Sequence, residues 1–265
     1  MTFVLDPAAR AAGCRLDLHP SLGSTSTHAM ALAQAGEAGP LWVVTRDQTG
    51  GRGRRGKVWT SPAGNLAASL LWTAPPDVAP EHVATLGFVA GLALAGACDR
   101  ARGPSPDGAP SPFRLKWPND VLVDGAKISG ILLETEQVPA GRAVVIGFGV
   151  NVGAVPPDLP YRATSLAACG CPADAGGLFS LLSGSWLAEL AAWDLGRGFP
   201  VTRERWLARA VGLGTAVSVR YGTERRDGVF ETIDASGRMV LRLASGERSL
   251  ISAGEVFFAR PAPAA

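Results

Sequence analysis

The apolar positions of this chain fall into short runs, and their period changes several times along it. Residues 41–45 and 65–73 (LWVVT and NLAASLLWT) are strand-length apolar runs, the pattern of strands buried on both faces. Residues 27–38 carry the spacing of a short helix, with Ser24, Thr25 and Ser26 as caps just before it. A long alanine-rich helix is predicted over 81–100, a surface loop over 103–112, and a strand over 113–117 that Pro118 stops. Residues 121–123, the turn pair Asp124-Gly125 and residues 126–136 predict a β-hairpin. Another apolar strand follows over 143–152, then a Pro- and Gly-rich segment, then helices near 178–195 and 202–210.

From Gly212 the pattern shifts to five short strands separated by Gly, Asp and Ser turns. That spacing predicts a small barrel of about fifty residues. Two domains are therefore expected, 1–211 and 212–265.

Composition narrows the class. With 265 residues, 47% of them hydrophobic, the chain can bury one large core or one large and one small. The net charge of +2 excludes a surface that is basic throughout, as duplex DNA would require. The N-terminus lacks a secretory signal, and no stretch reads as a membrane helix once its Gly, Asp and Arg are counted. Cys14, Cys98, Cys169 and Cys171 read as reduced thiols of a cytoplasmic protein, not a disulfide framework. His19, His28 and His82 are scattered along the chain, so no metal site is expected.

Positive charge concentrates in one place, GGRGRRGKVWTSP over 50–62. Arg52, Arg54, Arg55 and Lys57 sit there among four glycines, with Arg46 just upstream. Glycine lets backbone approach a ligand closely, and guanidinium forks match carboxylate and phosphate oxygens. Such a loop is expected to be mobile alone and to gain order from an anion. It is not a phosphate-binding P-loop, because Lys57 is followed by Val58 and not by a hydroxyl residue. Taken alone it equally suits non-specific RNA binding or a solvated face.

Three further stretches carry polar groups at strand ends. KWPND over 116–120 exposes Asn119 and Asp120 beside Trp117; alone it also reads as an Asx turn. Lys127 stands two residues past the hairpin turn, either snorkelling to water or aimed into a cleft. Strict alternation puts Lys127, Ser129 and Ile131 on one face and Ile128, Gly130 and Leu132 on the other. Gly130 marks a point of close approach, and Asn151 ends a strand as a turn residue or a hydrogen-bond reader.

The joint order is specific. A Ser-Thr pair before a helix, Gln48 ahead of GGRGRRGxxW, then KWPND, Lys127 followed by SGIL, and G-x-G-x-N ending at Asn151 resembles the biotin–protein ligases. The resemblance runs from about Gly23 to Val152, and the strand-rich C-terminal part fits it too. It implies an α/β (α+β) fold with a mixed, largely antiparallel sheet like that of class II aminoacyl-tRNA synthetases, followed by an SH3-like barrel. It also implies an enzyme that joins biotin to ATP, giving biotinyl-5′-AMP and pyrophosphate. The biotinyl group would then pass to a lysine of a biotin carboxyl-carrier domain. The short type, without a DNA-binding helix-turn-helix and without repressor function, is the one resembled. No membrane partner is implied, and a homodimer stays open.

By motif position, Ser24, Thr25, Ser26 and Gln48 would hold the ureido end of biotin, although the family usually has Asn where this chain has Ser26. Hydroxyls and an amide supply the donors and acceptors that a buried urea demands. Arg52, Gly53, Arg54, Lys127 and Gly130 would surround the carboxylate and α-phosphate. Trp59 would stack on adenine, Asn151 would hydrogen-bond it, and Arg55 would add a nucleotide contact. Lys127, Arg54 and Asp120 would be the catalytic groups, with Asp120 either acting on the acceptor lysine or positioning a cation. Mg²⁺ would accompany ATP. Rival readings are a lipoate ligase or octanoyltransferase, an RNA- or DNA-binding module, and a non-catalytic repressor relative. The polar Ser24/Thr25/Gln48 set disfavours the first, and the near-neutral charge the second. The presence of both Arg54 and Lys127 disfavours the third.

Overall fold

The computed structural model describes residues 2–104 and 108–258. Residues 105–107 of the predicted loop and 259–265 of the predicted barrel domain lie outside the described residues. In chain order the elements are α1 (Pro7–Ala11), β1 (Arg15–His19), α2 (Thr25–Gln34), β2 (Leu41–Thr45), β3 (Leu66–Ala74), α3 (Pro80–Ala84) and α4 (Leu86–Arg102). Next come β4 (Phe113–Lys116), β5 (Asp120–Val123), β6 (Ala126–Val138), β7 (Gly141–Val150), α5 (Ala175–Trp193) and α6 (Phe199–Arg209). The last five are β8 (Ala216–Tyr221), β9 (Glu224–Ile233), β10 (Met239–Arg242), β11 (Arg248–Ile251) and β12 (Glu255–Phe258).

The first seven strands form one mixed sheet in the order β1-β2-β3-β7-β6-β5-β4. β1 runs parallel to β2, and every other pair in that sheet is antiparallel. The β5–β6 turn is the predicted Asp124-Gly125 pair, with φ of 49° and 74°; two successive positive φ values are what a type I′ hairpin needs. The remaining strands form an antiparallel sheet, β11-β10-β9-β8-β12.

Alternation along the central strands divides the buried side chains between two layers. Trp42, Val44, Leu66, Ala68, Leu70, Ile146 and Phe148 enter the large core that includes α4 and α5. Leu41, Val43, Leu71 and Val145 turn the other way and meet Ala29 and Ala33 of α2. Ser24 starts that helix: extended backbone (φ −150°, ψ 129°) lets its side chain accept from the Thr27 N–H at 3.3 Å. The face covered by α2 is where the chemistry gathers.

Three expectations need correction. β1 was not anticipated, because RLDLH is short and its apolar–polar alternation covers only five residues. The single helix over 81–100 is two, α3 and α4, broken at Thr85. There the Thr85 hydroxyl donates to the His82 carbonyl (2.6 Å) and accepts from Trp193 Nε1 (2.8 Å). The joined segment Pro80–Arg102 is also long and apolar enough to cross a membrane by length and composition. However, 72% of its most apolar window is buried in the fold, as for a core helix.

Replacing Thr85 with Val is expected to leave the fully buried indole N–H of Trp193 without an acceptor, costing about 1–3 kcal/mol. Urea denaturation reads this as a lower midpoint; an unchanged midpoint would contradict that role for Thr85.

Candidate functional site

Pairing registers define the floor of the site. One row crosses the sheet through Thr45, Ala67, Gly149, Gly130 and Asp120. The row beside it, two residues along each strand, is Val43, Ser69, Gly147 and Leu132. Small residues thus occupy the centre of the face, leaving a trough under α2 and the 50–62 loop. A Cβ on Gly149 would lie 2.3 Å from Cε2 of Trp59, and one on Gly147 2.5 Å from Ser26 Oγ. At Gly130 it would meet Trp59 Cζ3 and Lys127 Nζ, both at 3.3 Å. Only glycine leaves room for the ring at Gly149 and the hydroxyl at Gly147.

A β-bulge sets the direction of Lys127. The β5–β6 register shifts between Val121 and Leu122, so Lys127 pairs with Leu122 while Gly130 pairs with Asp120. The extra β6 residue reverses the alternation. Lys127 therefore lies on the face of Gly130, contrary to strict period-two counting. Its ammonium makes a 2.6 Å ion pair with Asp120 Oδ1 and sits 5.5 Å and 5.4 Å from the ring centroids of Trp59 and Tyr161. Both members of the pair are more than four-fifths shielded from solvent. The orientation of this cation is thus over-determined by one anion and two π-faces.

The other end of the trough is polar and neutral. Gln48 Oε1 accepts from the Thr25 N–H (3.0 Å) and from Thr25 Oγ1 (3.2 Å). Ser69 Oγ, fully buried, lies 2.8 Å from Thr25 Oγ1 and 3.0 Å from Ser26 Oγ. Ser69 completes this polar cluster, and sequence reasoning missed it. Its signal was a hydroxyl in the run Leu66–Leu71, whose other five residues are apolar and buried like it.

The basic loop makes contacts at several points along its length. A tight hairpin closes it, with the Gly53 N–H donating to the Lys57 carbonyl and the Trp59 N–H to that of Gly51. Arg52 spans from Thr27 Oγ1 (3.1 Å) to a salt bridge with Glu134. Arg54 reaches Asn119 Oδ1 at 3.4 Å, and Asn119 Nδ2 donates to the Ile131 carbonyl at 2.7 Å. Burial, with Arg55 beside it, pushes the Arg54 guanidinium below its ordinary value, while Asp120 and Glu255 pull it up. Arg55 turns to the C-terminal sheet, 5.8 Å from the Tyr221 centroid. Lys57 makes a 2.9 Å ion pair with Glu255 there. Lys116 also points that way, over Phe258, and burial pushes its ammonium down.

Beside the glycine floor are two buried polar atoms without partners among the described residues, Trp59 Nε1 and Asn151 Oδ1. Asn151 is 2% exposed and donates through Nδ2 to the Thr164 carbonyl at 3.2 Å. The turn after Asn151 is fixed by Asn65, another missed residue. Its Oδ1 accepts from the N–H groups of Val152, Gly153 and Ala154 at 2.9, 3.0 and 3.1 Å.

Ser24, Thr25, Ser26, Gln48, Arg52, Gly53, Arg54, Trp59, Asp120, Lys127, Gly130 and Asn151 therefore lie around one trough, and Arg55 faces away toward the C-terminal sheet. The histidines are not all scattered in space. His19 and His28 meet, with ring centroids 4.6 Å apart, while His82 lies elsewhere, against Gly196.

Comparison with known proteins bears on what this trough holds. Residues 19–151 match the biotin/lipoate A/B protein ligase family, and residues 212–259 match the biotin protein ligase C-terminal domain. A biotin–[acetyl-CoA-carboxylase] ligase of Paracoccus denitrificans is 40% identical over 245 residues, covering 89% of this chain and 97% of that protein. The bifunctional ligase/repressor BirA of Bacillus subtilis is 32% identical, covering 91% of this chain and 73% of that protein. Among solved structures, the Aquifex aeolicus biotin protein ligase in complex with biotin and ATP superposes with a TM-score of 0.76. It is 25% identical, with 93% of this chain and 99% of that one covered.

Because Trp59 rests on Gly149, a Gly149→Ala change is expected to lift the ring and free the loop it anchors. Trypsin should then cut at Arg52, Arg54, Arg55 or Lys57 several-fold faster than in the wild type. An unchanged cleavage rate would contradict the anchoring role.

Proposed function

The chain belongs to the biotin/lipoate A/B protein ligase family, on its biotin protein ligase branch, and from that premise we propose how the trough works. One observation carries the reading: a floor centred on Gly130, Gly147 and Gly149 joins a neutral hydrogen-bonding end to an end crowded with fixed cations. The substrate that suits it is neutral and urea-like at one end and anionic at the other. Biotin has that shape. The Paracoccus relative is named for acting on acetyl-CoA carboxylase, and the Aquifex structure holds biotin and ATP.

In this reading Ser24, Thr25, Ser26, Gln48 and Ser69 pair with the ureido group. The valeryl chain crosses Gly147, and its carboxylate reaches Lys127, Arg52, Gly53 and Arg54. A carboxylate oxygen attacks the α-phosphorus of ATP, the bond to the β-phosphate oxygen breaks, and pyrophosphate leaves. Two anions approach each other in that step, so cations fixed beforehand lower its barrier. Asn151 Oδ1 accepts from the adenine amine and Trp59 stacks on the base, which would partner the unmatched carbonyl.

In the second step a carrier lysine attacks the acyl carbon and AMP leaves. Asp120 serves as a positioning residue that aims Lys127, as the 2.6 Å ion pair supports. Arg52 and Arg54 exchange their present protein partners for ligand oxygens and shield the mixed anhydride from water. Around the phosphate position the side chains are mostly cations, and the carboxylates beside them, Asp120 and Glu134, are held by Lys127 and Arg52. The chain thus offers Mg²⁺ no oxygen cage of its own, and the ion is expected on the nucleotide's phosphates.

The four unpaired cysteines support a reducing, cytoplasmic setting. The domain division at 211/212 is part of the same proposal; α6 ends at Arg209 and β8 begins at Ala216.

The test is pyrophosphate release from ATP with biotin or lipoate, with and without a biotin carboxyl-carrier domain. Release with biotin, transfer to the carrier lysine and no release with lipoate are expected; release driven by lipoate would overturn the biotin reading. Lys127→Ala is expected to lose at least about 100-fold in adenylate formation while circular dichroism shows it still folded, although the unpaired Asp120 lowers its unfolding midpoint. Full activity in that variant would remove Lys127 from the mechanism.

A further inference from the structure

Away from the trough, β1 and α2 bring together three side chains that the reaction does not use. Asp17 and His19 are two residues apart on β1 and so share a face. His28 comes to them from the first turns of α2. Asp17 Oδ2 lies 2.8 Å from His19 Nε2 and 3.2 Å from His28 Nε2, and one ligand atom from each residue falls within 4.8 Å of the other two. All three side chains are about two-thirds or more buried, with 33, 27 and 31% exposure for Asp17, His19 and His28.

Two features distinguish this group from an aspartate hydrogen-bonded to two imidazoles. First, His19 Nε2 is shielded from solvent and makes no hydrogen bond of acceptable geometry, although the carboxylate oxygen is only 2.8 Å away. Its lone pair or N–H is directed elsewhere. Secondly, the two oxygen–nitrogen separations, 2.8 and 3.2 Å, fall just short of the edge of a small coordination tetrahedron, so a slight spreading of the three side chains would admit an ion. Ligand bonds of about 2.0–2.1 Å give edges of about 3.3 Å.

We propose that Asp17, His19 and His28 form a binding site for one late first-row divalent cation, with Zn²⁺ the representative and water completing the coordination. Two imidazoles and one carboxylate are nitrogen-rich ligands that favour Zn²⁺, Co²⁺ or Ni²⁺ over the oxygen-seeking Mg²⁺ that accompanies ATP. The ion would tie the edge strand of the large sheet to α2, whose first residues, Thr25 and Ser26, supply the polar end of the trough. This assignment stands on β1 and α2 alone and is independent of which ligand the trough takes.

The experiment is a thermal melt of the full chain, stripped with chelator and dialysed, against added ZnCl₂ or MgCl₂. Co²⁺ absorption in the visible range is recorded alongside. One Zn²⁺ per chain, a raised Tm with zinc and not with magnesium, and Co²⁺ bands without thiolate charge transfer are expected. His28→Gln and Asp17→Asn should each abolish the Tm rise and weaken Co²⁺ binding about tenfold or more, while His82→Gln keeps both. Since Asp17 could matter to folding, the half-buried His28 provides the variant whose metal-free melt should match the wild type. No zinc-dependent rise, a rise that survives His28→Gln, or a thiolate band showing that the cysteines are the ligands would each overturn the site.

Discussion

Two glycines facing each other across β6 and β7, Gly130 and Gly149, set the condition that the rest of this molecule satisfies. A sheet covered by a helix normally fills the space between with side chains at close-packed density. Here the sheet carries only small side chains or none along Ala67, Gly149 and Gly130, and again at Gly147, so the Trp59 ring and the Ser26 hydroxyl come down onto the backbone. Glycine in a strand weakens it. The flanking apolar positions on the opposite face, from Leu66 to Phe148, are fully or nearly fully buried and offset that weakness. The stability of the fold and its candidate site thus sit on opposite faces of the same strands.

Charge is distributed along that face with equal economy. At one end hydroxyls and an amide satisfy one another, so the polar group most deeply buried, Ser69, costs little while no ligand is present. At the other end every cation near the floor has an anion, a carbonyl-type oxygen or an aromatic ring against it. Asp120 holds Lys127, Glu134 holds Arg52, and Asn119 meets Arg54. Burial shifts the Arg54 guanidinium below its ordinary value. Cations kept dry and oriented act on a developing charge without reorganising. The C-terminal sheet contributes at a distance, because Glu255 and Tyr221 hold the outer half of the loop through Lys57 and Arg55.

Much of this was legible in the sequence because the trough is built by short motifs whose residues are special in kind. GGRGRRG, KWPND and the Asp124-Gly125 turn declare themselves by glycine, proline and charge, and they fell where expected. The hairpin's register did not, since a bulge at Lys127 leaves no mark in a string of residue types, yet it decides which face the lysine serves. Ser69 and Asn65 were hidden for the opposite reason. One polar residue in an apolar strand looks like tolerated noise until the partner strand and helix are in place. The Asp17–His19–His28 cluster needed β1 itself, a strand too short to announce, before two histidines nine positions apart could be seen as neighbours.

The central claim is that the cationic end of the trough exists to hold a carboxylate whose other end is a neutral urea. Calorimetric titration with biotin and with its alcohol analogue, which differ only in the terminal carboxylate, tests it most directly. Biotin should bind at least about tenfold more tightly than the alcohol, a difference of about 1.4 kcal/mol, and Lys127→Met should erase most of that margin. Equal affinity for the two ligands in the wild-type protein would contradict the account.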